Sequence, residues 1–323
     1  MVGKLTRNDT LSASRVPMLL AQSPYGTPND LLAEVLAEIE GRPNPNPFNG
    51  NEACDWGDAL EETILKTAAE RLGLKNLETE FDSAFVHDTL PFAASLDGRA
   101  DGGIGHEVHS DPSRGIYCVD GPVYVQGLGI LESKLTSSRP EERPAPHRGP
   151  LQLQGQMIAV NGQCTWGAVC VLYQGIELRI FLYQANAAIQ SNIIDAIHDF
   201  ERRKFDIDWY PVLTSSDGNT AYPRVDNGAP PLELDGENVD WLGQLINAKD
   251  AKRAAEADID EAEAALKEHM GSHEEASGLI GNQRHIVKWP MRNFKAQPAK
   301  TTPAKPSKIM RQSTLTVKAL SND

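Results

Sequence analysis

The sequence predicts an α/β (α+β) protein, a central mixed sheet flanked by helices, and three observations carry that expectation. Apolar residues recur at helical spacing over 52–72, where Ile64, Leu65, Ala68 and Leu72 form one stripe. The period then shortens to two over 92–97, 116–125, 128–135, 165–173 and 177–183, which reads as strands. Helical spacing returns over 150–160 and 186–204, so the order is helix, strands, helix, strands, helix.

Taken in order, residues 11–22 read as a short helix. The turn Ser23-Pro-Tyr-Gly-Thr-Pro-Asn-Asp follows and offers Asn29 or Asp30 as cap for a second helix over 31–40. Pro43, Pro45 and Pro47 then occupy alternate positions, which excludes both a helix and a sheet interior and leaves a loop. Gly73 ends the helix over 52–72. Residues 236–270 form a long, charged helix with Leu245, Ile259 and Leu266 as anchors, and one strand follows over 285–294. Pro298, Pro303 and Pro306 among lysines mark an end of little structure. The expected layout is a core over 1–235 with an insertion at about 102–122, a charged helix over 236–275 packed on the core, and a basic, partly disordered tail over 276–323.

Net charge is −14, but residues 276–322 hold nine of the 31 basic residues and none of the 45 acids. An acidic body with a basic tail suits an enzyme that gathers metal ions in a carboxylate pocket and touches phosphates through a few local cations. The tail reads equally well as a solvated charge run that maintains solubility. Cys54, Cys118, Cys164 and Cys170 show no C-x-x-C spacing, so free thiols in a reducing compartment are expected rather than a zinc site or a disulfide framework. The longest apolar runs, such as 166–173, fall far short of the roughly 20 residues that span a bilayer. The N-terminus lacks the pattern of a secretory signal. A cytoplasmic protein that makes no membrane contact is expected.

Chemistry concentrates in a few side chains. Alternation over 92–97 puts Asp97 opposite the apolar face at the strand's end, and Gly98 lets the chain turn and a ligand approach. Over 128–135, Glu132 and Lys134 share a face with Ile130. Two carboxylates can hold a divalent cation by oxygen while a lysine orients water beside it, a combination suited to phosphodiester hydrolysis. Glu61 precedes Ile64 and Leu65 by three and four residues and so falls on the inward stripe of its helix, where a carboxylate needs compensation. Gln152 and Gln156 lie one turn apart on the helix after the Glu-x-Lys strand and can hydrogen-bond the site or a DNA backbone. Each piece alone has a bland reading: a solvated salt bridge, a turn, a surface glutamate. Their order makes the combination specific. Asp101 is a rival to Asp97, and His106 with His109 could be metal ligands, although a polar surface insertion accounts for them more simply because no third ligand is in register.

In that order the sequence resembles the PD-(D/E)xK nuclease superfamily, specifically its lambda-exonuclease-like, YqaJ-type viral recombinases. Leu11-Ser-Ala-Ser-Arg-Val and Ser23-Pro-Tyr-Gly resemble the opening helix and turn, and Trp56-Gly-Asp-Ala-Leu-Glu resembles the W-G-x-x-x-E motif. Ser95-Leu-Asp-Gly, Leu131-Glu-Ser-Lys and Leu151-Gln-Leu-Gln-Gly-Gln-Met resemble the remaining core motifs. The resemblance implies a restriction-endonuclease-like core and 5′-to-3′ exonuclease action on double-stranded DNA ends in phage-type homologous recombination. It implies Mg²⁺, with Mn²⁺ as substitute, two ions per site, bound by Asp97, Glu132, the main-chain carbonyl of Ser133, and Glu61. Lys134 would position the attacking water, and Gln152 would sit against the site. Arg7 and Ser14 have the spacing of the residues that receive the DNA 5′-phosphate in lambda-type enzymes. A single-strand annealing protein is the implied partner, and the implied assembly is a homo-oligomer, with a trimeric ring among its forms. Asp97 and Glu132 stand 35 residues apart, more than the short hairpin common in the family. Iron–sulfur relatives of the core are excluded, since no cysteine follows Cys170. A structure- or site-specific endonuclease and a non-catalytic DNA-end-binding factor are the alternatives.

Overall fold

In the computed structural model, which describes residues 9–47, 50–223, 228 and 230–291, the chain divides into two units, 1–223 and 224–323. The first opens with strand β1 (Leu11–Ser12), a 3-10 turn (Ala13–Arg15) and the four-residue helix α1 (Val16–Leu19), where a single helix over 11–22 is expected. The cause is long-range: Leu11 and Ser12 pair in parallel with Phe92 and Ala93. Helix α2 (Pro28–Ile39) starts from Thr27 rather than from Asn29 or Asp30. The Thr27 hydroxyl accepts from the Asp30 N–H, and the Asp30 carboxylate accepts from the Thr27 N–H, a reciprocal cap. Helix α3 (Glu52–Leu72) has the expected bounds, capped by Asn51 and stopped by Gly73 in the left-handed region at φ 69°.

Strands β2 (Lys75–Glu78), β3 (Phe85–Val86), β4 (Phe92–Ala94), β5 (Gly98–Asp101), β6 (His106–Val108), β7 (Ile116–Cys118), β8 (Val123–Val125) and β9 (Leu128–Thr136) follow. Then come α4 (Pro150–Ala159), β10 (Trp166–Tyr173), β11 (Glu177–Gln184), α5 (Ala187–Asp206) and α6 (Ser215–Ala221). The central sheet has the order β2-β5-β9-β10-β11-β7 and is mixed: β9 is antiparallel to β5 and parallel to β10. The strand expected over 92–97 is broken after Ala94: β4 pairs with β1 and β3, residues 95–97 lie outside any strand, and β5 begins only at Gly98. The strand expected over 116–125 also divides, at a turn through Gly121 (φ 109°). Its first half, β7, closes the sheet beside β11, and its second, β8, pairs with β6. The insertion therefore supplies an edge strand as well as surface.

Helices cover both faces of the sheet. Ile130, Val169, Val171 and Phe181 share a core with Leu32 of α2, Leu153 and Met157 of α4 and Ile197 of α5. On the other face Leu131, Ala168, Cys170 and Ile180 pack with Ile64, Leu65, Ala68 and Leu72 of α3. Cys164 and Cys170 are buried and Cys54 is exposed, all four cysteines being free thiols. Where β9 passes Trp166 the packing admits only glycine: a Cβ on Gly129 would lie 2.2 Å from the indole. Gly129→Ala is expected to destabilise the protein by about 1–3 kcal/mol through overpacking. Thermal denaturation reads this out, and an unchanged melting temperature would mean the ring yields.

The second unit, described by itself, contains α7 (Glu237–Met270) and the antiparallel hairpin β12 (Glu275–Ile280) and β13 (Gln283–Lys288). Pairs one turn apart, such as Lys267 with Glu263 at 2.6 Å, lace the helix. The strand expected over 285–294 is thus the second of two and ends at Lys288, with 292–294 outside the described residues. Ser277 and Gly278 interrupt the apolar pattern of β12, which hides it in the sequence. No described helix is long and apolar enough to cross a membrane.

Candidate active site

The central sheet forks at its middle. Strands β5 and β9 pair from Asp101 opposite Leu128 to Gly98 opposite Leu131. One residue further, Asp97 stands opposite Glu132, and there the strands part because the chain has just crossed from β4 in the smaller sheet. The main-chain ladder stops, and the Ser133 N–H donates instead to Asp97 Oδ2 at 2.8 Å.

Glu132 is fully buried, 0% exposed, with both oxygens held. Lys134 Nζ donates to Oε1 at 2.5 Å, and Gln156 Nε2 of α4 donates to Oε2 at 2.6 Å. The same amide lies 3.4 Å from the Ser95 carbonyl, so one side chain spans the gap between the parting strands. Gln156 Oε1 is buried with no hydrogen-bond partner. The Lys134 side chain is 34% exposed, so the lysine is where the cluster meets solvent.

The charges explain how the cluster behaves. Burial, then the neighbouring Glu132 carboxylate, pushes the Asp97 carboxyl well above the ordinary aspartate range, against the opposing pull of Lys134 and the Ser133 N–H. Glu61 on α3 is half-buried and is also raised, by burial first and then by Glu132 and Asp58. Burial works against the Lys134 ammonium, but Glu132, Asp97 and Glu61 outweigh it and hold its pKa above the usual lysine value. The arrangement is an acid-rich pocket that keeps its one lysine charged.

Other residues singled out in the sequence lie as follows. Gln152 is half-buried on the preceding turn of α4, and the contact to Glu132 belongs to Gln156. Ser14 is exposed in the 3-10 turn, its hydroxyl 3.1 Å from that of Ser12, and Arg7 lies outside the described residues. The Asp101 carboxylate accepts from the Gly103 N–H at 2.8 Å, a turn contact away from the fork. His106 is exposed on β6, and His109 stands 3.5 Å from Glu107. Among the described residues no three His, Cys, Asp or Glu side chains converge as a ready-made metal cage. The residue that sequence reasoning passed over is Asp58. Its signal was available, since it precedes Glu61 by three residues and so shares its side of α3.

A mixed sheet flanked by helices thus presents an aspartate just before one strand and Glu-x-Lys from its neighbour, the order of groups that the resemblance to PD-(D/E)xK nucleases implies. Residues 4–163 match the family model of the YqaJ-like viral recombinase domain. Solved structures similar to the chain include an alkaline exonuclease, LHK-Exo, from Laribacter hongkongensis. Its complex with dAMP has 16% identity and a TM-score of 0.44, covering 62% of this chain and 89% of that one. A phage-related exonuclease from Haemophilus somnus 129PT has 13% identity and a TM-score of 0.38, covering 61% of this chain and 94% of that one. No curated protein matches the sequence.

Proposed function

We propose that the chain is a metal-dependent nuclease of homologous recombination that digests double-stranded DNA ends from 5′ to 3′. The observation that carries this reading is the meeting of Asp97, Glu132 and Lys134 at one fork of the sheet, within the stretch that matches the viral recombinase family model.

The residues present fit a hard divalent cation. A buried and a half-buried carboxylate, Glu132 and Asp97, face each other with like charge, and the raised Asp97 carboxyl marks a place where positive charge is favoured. Asp97, Glu132, the Ser133 carbonyl and Glu61 would hold Mg²⁺, or Mn²⁺ in its place, with two ions per site. When bound, the ions supply positive charge to the scissile phosphate and the departing 3′-oxygen. The chain's own groups do the rest. Lys134, kept protonated, orients the attacking water; Gln156 fixes the Glu132 carboxylate in one rotamer; the Ser133 N–H fixes Asp97. Water oxygen bonds to phosphorus, the P–O3′ bond breaks, and the 3′-oxygen leaves as the hydroxyl. Arg7 and Ser14 are proposed to receive the 5′-phosphate. A single-strand annealing protein as partner and a ring-shaped homo-oligomer, a trimer among its forms, belong to the same proposal, and the net charge of −14 suits a ring whose exterior repels DNA.

The test is digestion of linear duplex DNA labelled at one 5′ end, carrying phosphate or hydroxyl there, with and without Mg²⁺, beside a covalently closed circle. Metal-dependent loss of the 5′-phosphorylated linear substrate with the circle intact is expected. Cutting of the circle would indicate an endonuclease, and no cutting of either would indicate a non-catalytic end-binding factor.

A further inference from the structure

A cavity of about 490 Å³ lies across α4 from the fork. At roughly 100° per residue, Pro150, Leu151 and Gln154, which line it, point to the side of the helix opposite Gln156. Its size is within the range of small-molecule pockets, roughly 300–1,000 Å³. Pro144 and Pro146, from the segment between β9 and α4, join Pro150, Leu151 and Ile189 in flat, apolar walls.

Two polar features narrow what such walls could hold. Tyr183 on β11 lines the cavity at 9% exposure, and its hydroxyl is buried with no hydrogen-bond partner. A buried hydroxyl without a partner is unfavourable, so a ligand offering an acceptor is preferred over a plain apolar anchor. Arg143 and Asp120, the charged groups that act on Tyr183, pair with each other on the cavity wall. An anion can displace Asp120 and take the guanidinium. The frame is preset: Gln154 donates to the Gln184 carbonyl at 2.9 Å and accepts from the Asn186 N–H at 2.9 Å.

We propose that this cavity binds one unpaired nucleotide, its base against the proline and leucine walls and accepting from Tyr183, its phosphate toward Arg143. The inference rests on the nuclease reading for its ligand, because such an enzyme both unpairs nucleotides at a DNA end and releases them as 5′-monophosphates. The two sources share one chemistry.

The experiment uses the full chain in EDTA, so that no turnover intervenes. Deoxynucleoside 5′-monophosphates, inorganic phosphate and deoxyribose 5-phosphate are titrated calorimetrically into the wild type, Tyr183→Phe, Ile189→Trp and Glu132→Gln, with melting curves showing that each variant is folded. Saturable one-to-one binding of the nucleotide, but of neither control, is expected. Tyr183→Phe should weaken it about tenfold, Ile189→Trp should abolish it by filling the cavity, and Glu132→Gln should leave it unchanged. Displacement of bound nucleotide by a 5′-phosphorylated single-stranded oligonucleotide assigns the site to a DNA strand, and lack of displacement assigns it to the released product; either supports the site. Absence of nucleotide binding by the wild type overturns it, as does wild-type affinity in folded Ile189→Trp. A chain that cuts DNA but binds no nucleotide here overturns this inference alone, and one that binds but cuts nothing overturns the nuclease reading alone.

Discussion

Glu132→Gln is expected to reduce metal-dependent cleavage of linear duplex DNA by about a thousandfold or more while leaving the protein folded. The substitution keeps volume; the amide oxygen can accept from Lys134, and the NH2 can donate to Gln156 once that amide turns its unpartnered Oε1 toward it, but the negative charge that a cation needs at the base of the fork is gone. Electrostatic stabilisation worth roughly 4 kcal/mol at the scissile phosphate corresponds to about that factor in rate. Glutamine is a better test than alanine. Glu132→Ala would leave a partly buried lysine without its ion-pair partner and Gln156 without an acceptor, and breaking such a pair costs about 3–5 kcal/mol. A dead Glu132→Ala protein could therefore be merely unfolded. A folded Glu132→Gln protein with near-normal turnover would remove Glu132 from the mechanism.

How much of this site can be read from the sequence depends on how far apart the interacting residues are. Glu132 and Lys134 share a face because strand alternation is local, and α3 has its expected bounds because its apolar stripe and Gly73 are local too. Asp97 is harder. That it meets Glu132 depends on the register of β5 against β9, with 34 residues and an extra edge strand between the two acids. The same limit explains the first segment: Leu11 and Ser12 look helical by pattern but are held extended by Phe92 and Ala93, some 80 residues away. Gln152 and Gln156 illustrate a finer limit. They differ by a full turn and nearly share a face, so only the height of α4 against the fork decides which amide reaches Glu132.

Asp97→Asn is expected to abolish cleavage and at the same time raise the melting temperature of the metal-free protein at pH 8. The native carboxyl is raised by burial and by Glu132, so the folded state holds its proton more tightly than the unfolded chain does. A carboxyl raised in this way contributes stability at low pH, and the contribution is lost as pH climbs from the unfolded value near 3.8 through the higher native value. At pH 8 the metal-free cluster therefore carries a repulsion that asparagine removes, while its side-chain oxygen can still accept from the Ser133 N–H. The gain should be on the order of 1 kcal/mol, or a few degrees, and should shrink toward pH 5, where the wild-type carboxyl is increasingly protonated. Mg²⁺ should reverse the ranking. Saturating metal binds the ionised wild-type pair and stabilises it by mass action, more at pH 8 than at pH 5, but has little hold on the variant. A variant less stable than wild type in EDTA at pH 8, or equally stabilised by Mg²⁺, would mean that the fork is a structural ion cluster rather than a cation site. A cluster that served stability alone would gain from losing this charge, which is why the opposite responses of wild type and variant to Mg²⁺ separate a structural cluster from the proposed cation site.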